Sequence, residues 1–300
     1  MITPNQKTFI LALACFFAGA LVVGALLYYH PLKQTQVLTP VSIPDTTSTT
    51  PPPPEQANSA MKITAPRANE TVTAPFIVSG NAPGGWFFEA SFPIRIVDQN
   101  NKLLATTVAH PLSSWMSSDP IAFEAAFDFI VATTTEATMV FNNDNPSGLP
   151  ENDREFSMPI TLIPNQNTQK AIRLFYYNQK LDTDEMGTIV CSQNSLVAVD
   201  RIIPSTNTPI QDALRLLLKG QLTDHEKAAG LTTEFPLEGF ALTTAALQNE
   251  KLTATFTDPN NTTSGGACRT NILRSQIEVT ARQFAGVTTV TIQPETLFQP

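Results

Sequence analysis

A run without a charged residue, from Phe9 to Tyr29, constrains this chain more than any other feature. Its length matches the roughly 20 apolar residues that a helix needs to cross a bilayer. A cleaved secretory signal has a shorter apolar core, about 7 to 15 residues, and ends in small residues. This run instead ends in Tyr28, Tyr29 and His30, whose amphipathic side chains suit a membrane interface. The sequence therefore predicts an uncleaved signal anchor, a single transmembrane helix within residues 1–30.

A cysteine inside the run keeps a second interpretation open. Ala12-Leu13-Ala14-Cys15 resembles the lipobox at which bacterial lipoproteins are cut and acylated. The apolar run continues past Cys15, however, whereas a mature lipoprotein usually continues with a polar linker. Lys7 and Lys33 flank the run on opposite sides, so the charge bias says little about its orientation.

Residues 31–60 read as a linker. They are poor in large apolar residues and rich in Thr, Ser and Pro, as in the stretch TTSTTPPPPEQ. Such a composition cannot bury enough apolar surface to fold, and its prolines hold the chain extended. A stalk of about 30 residues at ~3 Å each would reach up to ~90 Å from a bilayer.

Composition limits the partners of the remaining chain. With 26 acidic against 18 basic residues, the formal net charge is -8, and no basic stripe is present. A nucleic-acid partner is therefore not expected. The hydrophobic content of 42% over 300 residues is enough for two ordinary folded domains.

Residues 61–165 predict an all-β, immunoglobulin-like sandwich. Short apolar or alternating runs recur between turn residues, and Asp98-Gln99-Asn100-Asn101 suits a hairpin turn between two of them. The runs are Phe76 to Ser79, Phe92 to Val97, Leu103 to Ala109, Ile121 to Phe129, Thr138 to Phe141 and Met158 to Ile163. The clearest, IAFEAAFDF, places Ile121, Phe123, Ala125, Phe127 and Phe129 on one face and Glu124 and Asp128 on the other.

Residues 169–300 predict a small α/β (α+β) domain with two helices packed on a sheet. The expected strands are Ile172 to Tyr177, Leu196 to Ile203, Leu242 to Leu247, Leu252 to Phe256 and Val287 to Ile292. One helix begins at Thr208-Pro209 and ends at Gly220, and a short one follows the capping box of Thr223 and Glu226. The last helix runs from Gly265-Gly266 to about Ala285. Its expected inward face holds Leu273, Gln276, Ile277, Thr280, Ala281 and Phe284, with Glu278 and Arg282 as an outward ion pair.

Two cysteines lie in this second domain. In an oxidising compartment Cys191 and Cys268 could form a disulfide that closes a loop of about 77 residues, worth about 4 to 5 kcal/mol. Two unrelated free thiols are the alternative.

Motifs for catalysis or cofactor binding are not found. His30, His110 and His225 are too scattered to hold zinc, and no G-x-S-x-G, P-loop or G-x-G-x-x-G occurs. Asp182 and Asp184 are interpreted as solvated loop residues, and the calcium-like oxygens of residues 142–145 as turn chemistry. We therefore expect no enzyme activity, no cofactor and no metal.

The stretch GGWFFEA, residues 84–90, is the candidate binding face. On a strand Trp86 and Phe88 would point one way and Phe87 the other, so at least one ring should enter the core. The alternative is a partly exposed platform for glycan or protein, formed by Trp86, Phe87, Phe88, Glu89 and Trp115.

Over about residues 62–162 the chain closely resembles the immunoglobulin-like domain of bacterial spore germination, a module found beside other cell-envelope domains. The resemblance is carried in order by Trp86, Glu89, Pro93, Asp98, Trp115, Asp119, Phe123 and Asn145-Pro146-Ser147-Gly148.

Over about residues 170–300 the chain resembles the sporulation and germination GerMN domain. The matching residues are Cys191, Val199, Arg201-Ile202-Ile203-Pro204, Ala213-Leu214, Leu217-Leu218-Lys219-Gly220, Glu226, Gly230, Thr232, Gly265-Gly266, Cys268-Arg269, Gln276 and Gln283-Phe284. After the leucine helix, many relatives have Gly-Pro-Thr where this chain has Gly220-Gln221-Leu222-Thr223. The family implies an extracytoplasmic, membrane-tethered protein with a compact α/β domain of ring-building-motif type; it implies neither an activity nor a spore-forming host.

Together these features predict a single-pass cell-membrane protein with most of the chain extracytoplasmic. It would act by noncovalent protein interaction in the assembly or maintenance of the cell envelope. The alternative function is a module that binds peptidoglycan or another cell-wall glycan through exposed aromatic residues.

Overall fold

The structure, a computed structural model, describes residues 61–165, here called the first region, and residues 168–300, the second region. The first region is built from eight strands. They are β1 (Lys62–Ala65), β2 (Thr71–Thr73), β3 (Phe76–Ala82), β4 (Phe92–Asp98), β5 (Leu103–Pro111), β6 (Ile121–Phe127), β7 (Thr135–Asn142) and β8 (Glu155–Ile163). The predicted all-β character of the first region is confirmed.

The eight strands form one hydrogen-bonded series in the order β1-β3-β6-β5-β4-β7-β8-β2. Strand β5 joins its two halves, because it pairs with β4 along most of its length and with β6 at His110 and Pro111. The predicted turn is present between β4 and β5, where the Asp98 carboxylate accepts hydrogen bonds from the backbone N–H groups of Asn100 and Lys102 at 2.8 and 2.9 Å. The series folds around a core of alternating inward residues.

Aromatic rings fill much of that core. Phe92 packs edge-on against Trp86, Phe87 and Phe123, with ring centroids 4.9 to 5.9 Å apart. Each buried ring contributes about 1.5–3 kcal/mol through the apolar area that it removes from water. Alternation along the strands thus accounts for the core of this region.

Strand β6 departs from the predicted alternation because its second face is buried at Ala122 and Glu124. Phe123 and Ala125 face the core as expected and Asp128 is exposed, but Glu124 on the opposite face is also buried. The opposite face of β6 is not solvated, because β10 of the second region packs against it. A pattern read from one strand cannot show that both of its faces are covered.

The second region contains six strands and three helices. The strands are β9 (Gln169–Asn178), β10 (Leu196–Pro204), β11 (Leu231–Thr232), β12 (Ala241–Gln248), β13 (Lys251–Thr257) and β14 (Thr289–Gln293). The helices are α1 (Pro209–Leu217), α2 (Asp224–Ala228) and α3 (Ala267–Arg282). Two separate sheets result, one ordered β10-β9-β11 and the other β12-β13-β14.

The prediction of two helices on a single sheet is therefore wrong in its count of sheets. The hairpin of β12 and β13 pairs in parallel with the last strand, β14, rather than with β9 or β10. Helices α1 and α3 bridge the gap, because their buried residues belong to one apolar cluster with both sheets.

Local capping follows the sequence at one helix and not at another. At α2 the Thr223 hydroxyl accepts from Glu226 N at 3.2 Å and the Glu226 carboxylate accepts from Thr223 N at 2.8 Å, which confirms the capping box. At α1 the side chain of Thr208 makes no capping bond, although Pro209 does occupy the first turn. The predicted ion pair of Glu278 and Arg282 on α3 is present, with a distance of 3.2 Å. Glu278 is nevertheless buried, because Arg274 also binds it, at 2.7 Å, and covers it from the other side.

The two regions share part of a core. Leu112 and Ala122 belong to the first region by sequence, yet both are buried in the cluster of the second region. The buried Asn178 side chain donates to the Leu112 carbonyl at 3.2 Å and so ties the end of β9 to the first region. The junction between the regions is therefore a packed interface.

Within residues 61–165 and 168–300, the structure has no helix long and apolar enough to span a bilayer. The predicted anchor and linker, residues 1–30 and 31–60, lie outside the described residues.

Candidate functional site

The GGWFFEA stretch does not form a strand. Gly84–Trp86 is a turn of 3₁₀ helix, and Glu89 and Ala90 have positive φ angles. As a result Trp86 and Phe87 both enter the core, and Phe88 is 39% exposed. The expected pairing of Trp86 with Phe88 on one face is therefore wrong, because strand alternation does not apply to a 3₁₀ turn.

The rest of the aromatic set offers a small exposed surface. Trp115 is half-buried and packs against the first core, while Glu89 is exposed. A Cβ at Gly84 would collide with the carbonyl oxygens of Trp115 and Ser117, so the turn and the loop of residues 113–119 are packed backbone to backbone. Of the predicted platform, Phe88, Glu89 and part of Trp115 are accessible.

The predicted disulfide between Cys191 and Cys268 is present, with the Cα atoms 5.2 Å apart. It joins the loop after β9 to the first turn of α3. Bridging residues that are 77 positions apart removes about 4 to 5 kcal/mol of loop-closure entropy from the unfolded chain.

A buried aspartate organises the loop that carries Cys191. The carboxylate of Asp182 accepts from the Tyr177 hydroxyl at 2.7 Å and from the backbone N–H groups of Cys191 and Ser192 at 3.0 and 2.7 Å. The prediction that Asp182 is solvated is wrong, because three donors replace water around it. Burial, together with the Asp182 hydrogen bond, raises the pKa of Tyr177 to about 12, so this hydroxyl stays a donor.

Beside the disulfide lies a groove of about 400 Å³, here called the disulfide groove. It is lined mainly by apolar atoms of α3, by the end of β9 and by the segment that contains β11. Its principal lining residues are Tyr177, Ile189, Thr232, Ile272, Leu273 and Gln276. A concave apolar surface with a few polar groups is typical of a binding site.

Gln276 is the unusual residue of this groove. Its side chain is 1% exposed, and its amide oxygen accepts from the Thr233 hydroxyl at 3.5 Å. A hydrogen bond of 3.5 Å is weak, so the amide of Gln276 is a group for which a ligand in the apolar groove can compete.

The wall opposite α3 is the edge of a sheet. Strand β11 pairs with β9 through Leu231 and Thr232 and is the outermost strand of its sheet. At the mouth, Arg269 is held by Glu234 at 2.7 Å and by the carbonyl oxygens of Ser264 and Thr262. The arginine therefore serves to fix the mouth of the groove.

Exposed apolar residues continue the groove along the disulfide-bonded loop. Met186, Ile189 and Val190 are 87%, 43% and 52% exposed. The loop is held at both ends by hydrogen bonds to Asp182 and Asp184, so these side chains are presented on an ordered backbone. Adjacent exposed apolar side chains commonly mark an interaction surface.

Acidic groups cross-link the two regions at their junction. The Glu124 carboxylate accepts from Asp200 N at 3.0 Å, and the Asp200 carboxylate accepts from Ala126 N. Burial, together with the negative charge of Glu226, raises the pKa of Glu124 to about 8; burial also raises that of Asp200. Glu124 is thus largely a neutral acid at pH 7, which lowers the cost of burying it.

A buried ion pair lies behind this cross-link. Arg201 binds both carboxylate oxygens of the fully buried Glu226 at 2.6 and 2.8 Å. Although burial opposes the charge of Arg201, the bond to Glu226 raises its pKa, so the guanidinium stays charged. Arg173, 3.8 Å from Asp200, also contacts Nε2 of His110 at 3.3 Å; burial and this arginine lower the pKa of His110.

Within residues 61–165 and 168–300, no group of three or more His, Cys, Asp or Glu side chains is placed to hold a metal ion. Asn143 and Asn145 donate to backbone carbonyls of their own loop, at 3.0 and 2.9 Å. Turn chemistry therefore accounts for these amide groups.

Comparison with known families identifies both regions. Residues 60–149 match the family described as the immunoglobulin-like domain of bacterial spore germination. Residues 173–295 match the family described as sporulation and spore germination. The chain carries these two spore-germination domains, in this order. Four residues that carry the resemblance of the second domain line the disulfide groove, namely Thr232, Cys268, Arg269 and Gln276.

Similarity to individual proteins is weak. A crystal structure of a DUF4784 family protein from Bacteroides caccae is 17% identical to this chain, with a TM-score of 0.22. The alignment covers 43% of this chain and 31% of that one. No curated protein matches the sequence.

Helical periodicity predicts that Gln276 lies on the inward face of α3, but it does not predict the groove that this residue lines. Glu124 and Asp182 were missed as buried groups. Glu124 accepts from the backbone N–H of Asp200, which is distant in sequence, and Asp182 accepts from that of Ser192, which lies on a loop. Neither contact produces a periodic pattern of apolar residues in the sequence.

Proposed function

We propose that this chain is a single-pass membrane protein of the cell envelope whose outer domains act by noncovalent binding of a protein partner. The uncharged run of residues 9–29 would be the anchor and residues 31–60 the stalk. The disulfide supports an extracytoplasmic location, because such bonds persist mainly in oxidising compartments. The spore-germination families support an envelope role, and they carry no implication that the host forms spores.

The observation that carries the proposal is the disulfide groove with Gln276 at its floor. Its occupant would be an extended segment of the partner with one large apolar side chain. That side chain would contact Ile272 and Leu273, while the amide of Gln276 bonds the partner's backbone. The open edge of β11 offers the backbone pairing that is typical of β-strand addition.

Pre-organisation strengthens the argument. The disulfide and the three donors of Asp182 hold the loop with Ile189 and Val190 in place before a partner arrives. An ordered loop loses little entropy on binding, so a small groove can still give useful affinity.

Selection from a displayed peptide library with the full chain, solubilised in detergent, tests this function. We expect the selected peptides to share one large apolar residue within an extended sequence. Their affinity, measured by fluorescence anisotropy, should fall at least tenfold in Ile189→Asp and in Gln276→Leu. Ile130→Asp is the matched control, because Ile130 is 86% exposed on the other domain.

Peptides that bind the two groove variants as tightly as the wild type would contradict the groove as the site. Failure to select any peptide would contradict the partner chemistry. The anchor has a separate test, in which the protein should resist extraction from membranes at alkaline pH and lose that property when residues 1–30 are deleted.

A further inference from the structure

A second cavity, here called the junction cavity, lies between the two domains. It measures about 430 Å³ and is separate from the disulfide groove. One wall is the loop between β5 and β6, with Ser113, Ser114 and Asp119; the other holds Lys180 and His225. Clefts between domains are frequent sites for small ligands.

Unused hydrogen-bonding groups are concentrated in this cavity. Within the described residues, the Lys180 ammonium and the Asp119 carboxylate have no ionic partner. The hydroxyls of Ser113 and Ser114 have no hydrogen-bond partner in the same part of the chain. Nε2 of His225, on the same wall, is buried without a partner. Elsewhere at the junction the charged groups are paired, as Arg201 and Glu226 are. These groups are therefore available to a ligand.

The two walls are held at a fixed separation. The amide of Asn178, which is fully buried, donates to the Leu112 carbonyl beside one wall and to the Ala229 carbonyl of the other, both at 3.2 Å. Leu112 N donates to the Ala122 carbonyl at 2.8 Å. The cavity is thus largely pre-formed, as small-molecule sites usually are.

The lining indicates the chemistry of the ligand. One carboxylate and one ammonium balance each other, so neither a polyanion nor a cation is favoured, and the net charge of -8 further disfavours polyanions. Apolar surface from Ile121, Leu181 and Ala228 lies among the polar groups. A molecule with many hydroxyls and apolar C–H faces matches this mixture.

We propose that the junction cavity binds a short neutral saccharide of two or three rings. Its hydroxyls would bond Asp119, Lys180 and the serines, and a C–H face would lie on the apolar patches. A zwitterionic amino acid would engage the two charged groups and leave the serine hydroxyls unused. The cavity volume lies in the range of about 300–1,000 Å³ that is typical of sites for drug-sized ligands, which are larger than a single amino acid. This site differs from the exposed aromatic residues and does not depend on the protein-binding groove.

Calorimetric titration of the full chain, in a detergent without a sugar head group, tests the proposal. The probes are the trisaccharides of N-acetylglucosamine and of glucose, with the dipeptide Ala-Ala as the competing chemistry. We expect saturable binding of at least one trisaccharide at a single site. Ser114→Trp, which fills the cavity, should weaken it at least tenfold, and Lys180→Met about threefold or more.

Two controls separate this site from its surroundings. Ser118→Trp adds the same side chain to the same loop outside the cavity lining and should bind like the wild type. Gln276→Leu alters the disulfide groove and should also leave saccharide binding unchanged. The proposal is overturned if neither trisaccharide binds, if both Ser114→Trp and Lys180→Met bind like the wild type, or if the dipeptide binds more tightly than the sugars.

Discussion

The two regions of this molecule are stabilised by different kinds of interior. Within residues 61–165 the buried side chains are apolar, with Glu124 as the exception. Within residues 168–300 eleven polar or charged side chains are buried, among them Asp182, Asp200 and Glu226. A sandwich filled by alternating apolar residues needs few polar contacts, whereas a region with two small sheets and a long loop uses them to fix its connections.

The comparison predicts that the second region depends most on its cross-links. Replacement of both Cys191 and Cys268 by Ser should lower the free energy of unfolding by about 4 kcal/mol, because the unfolded chain regains loop entropy. Urea unfolding of the full chain should be followed by far-UV circular dichroism and by tryptophan fluorescence. Both tryptophans, Trp86 and Trp115, lie in the first region, so fluorescence reports on that region alone.

We expect the two signals to shift together, since Leu112 and Ala122 are shared by the second core. A fluorescence midpoint that stays at the wild-type value would show that the first region unfolds independently. The shared core would then contribute nothing to cooperativity.

A somewhat smaller loss is expected from the buried ion pair. Glu226→Ala leaves the guanidinium of Arg201, whose side chain is only 16% exposed, without its ionic partner, which costs about 3–4 kcal/mol. Glu234→Ala is the matched control: it removes the carboxylate beside Arg269 at the surface, where an ion pair contributes about 0–1 kcal/mol. Equal losses in urea unfolding would show that burial does not set the value of these pairs.

Glu124 allows a test in which the effect depends on pH. The pKa of Glu124 is about 8 in the folded protein, against an ordinary value of 4.5. Its contribution to the free energy of unfolding is therefore complete below about pH 4.5 and is lost as the pH rises to 8. Glu124→Gln cannot ionise but keeps an oxygen that accepts from Asp200 N. Between pH 5 and 9 the free energy of unfolding of the wild type should fall by roughly 4 kcal/mol relative to this variant.

Glu136→Gln, an exposed change on β7, should leave the pH profile of urea unfolding as it is in the wild type. A Glu124→Gln profile parallel to that of the wild type would show that Glu124 ionises in the folded protein as it does in water.

The smallest expected effect distinguishes two threonines at helix starts. Thr223→Ala removes the capping box of α2 and should cost about 1 kcal/mol. Thr208→Ala should cost less than about 0.5 kcal/mol, since this side chain makes no capping bond at α1. A reversed order of the two unfolding midpoints would contradict the assigned capping geometry.

Sequence patterns predicted the regular elements better than the groups between them. Strands β3 to β10 and β12 to β14 were found near their predicted positions because each has an apolar or alternating run. β1, β2 and β11 were missed, since four, three and two residues are too short to show a period. The split into two sheets was missed because no local signal specifies which strand pairs with β13.

The candidate sites were predictable only in part. The disulfide partners and the inward position of Gln276 followed from composition and helical period. The junction cavity did not, because its walls lie more than 100 positions apart, at Ser113 and His225, and consist of loop residues without a periodic pattern. Sites of this kind are created by tertiary packing.

Leu112 and Ala122, which are buried in the core of the second region, also affect whether the two regions can be separated or exchanged during evolution. Each family matches one of the two regions, yet a cut between the regions would expose two apolar side chains and the Glu124 carboxyl. The isolated first region would have an exposed apolar patch, and the isolated second region would lack two residues of its hydrophobic core. Exchange of either region for that of a distant relative therefore requires matching substitutions across the boundary, so the two regions are expected to evolve as one piece.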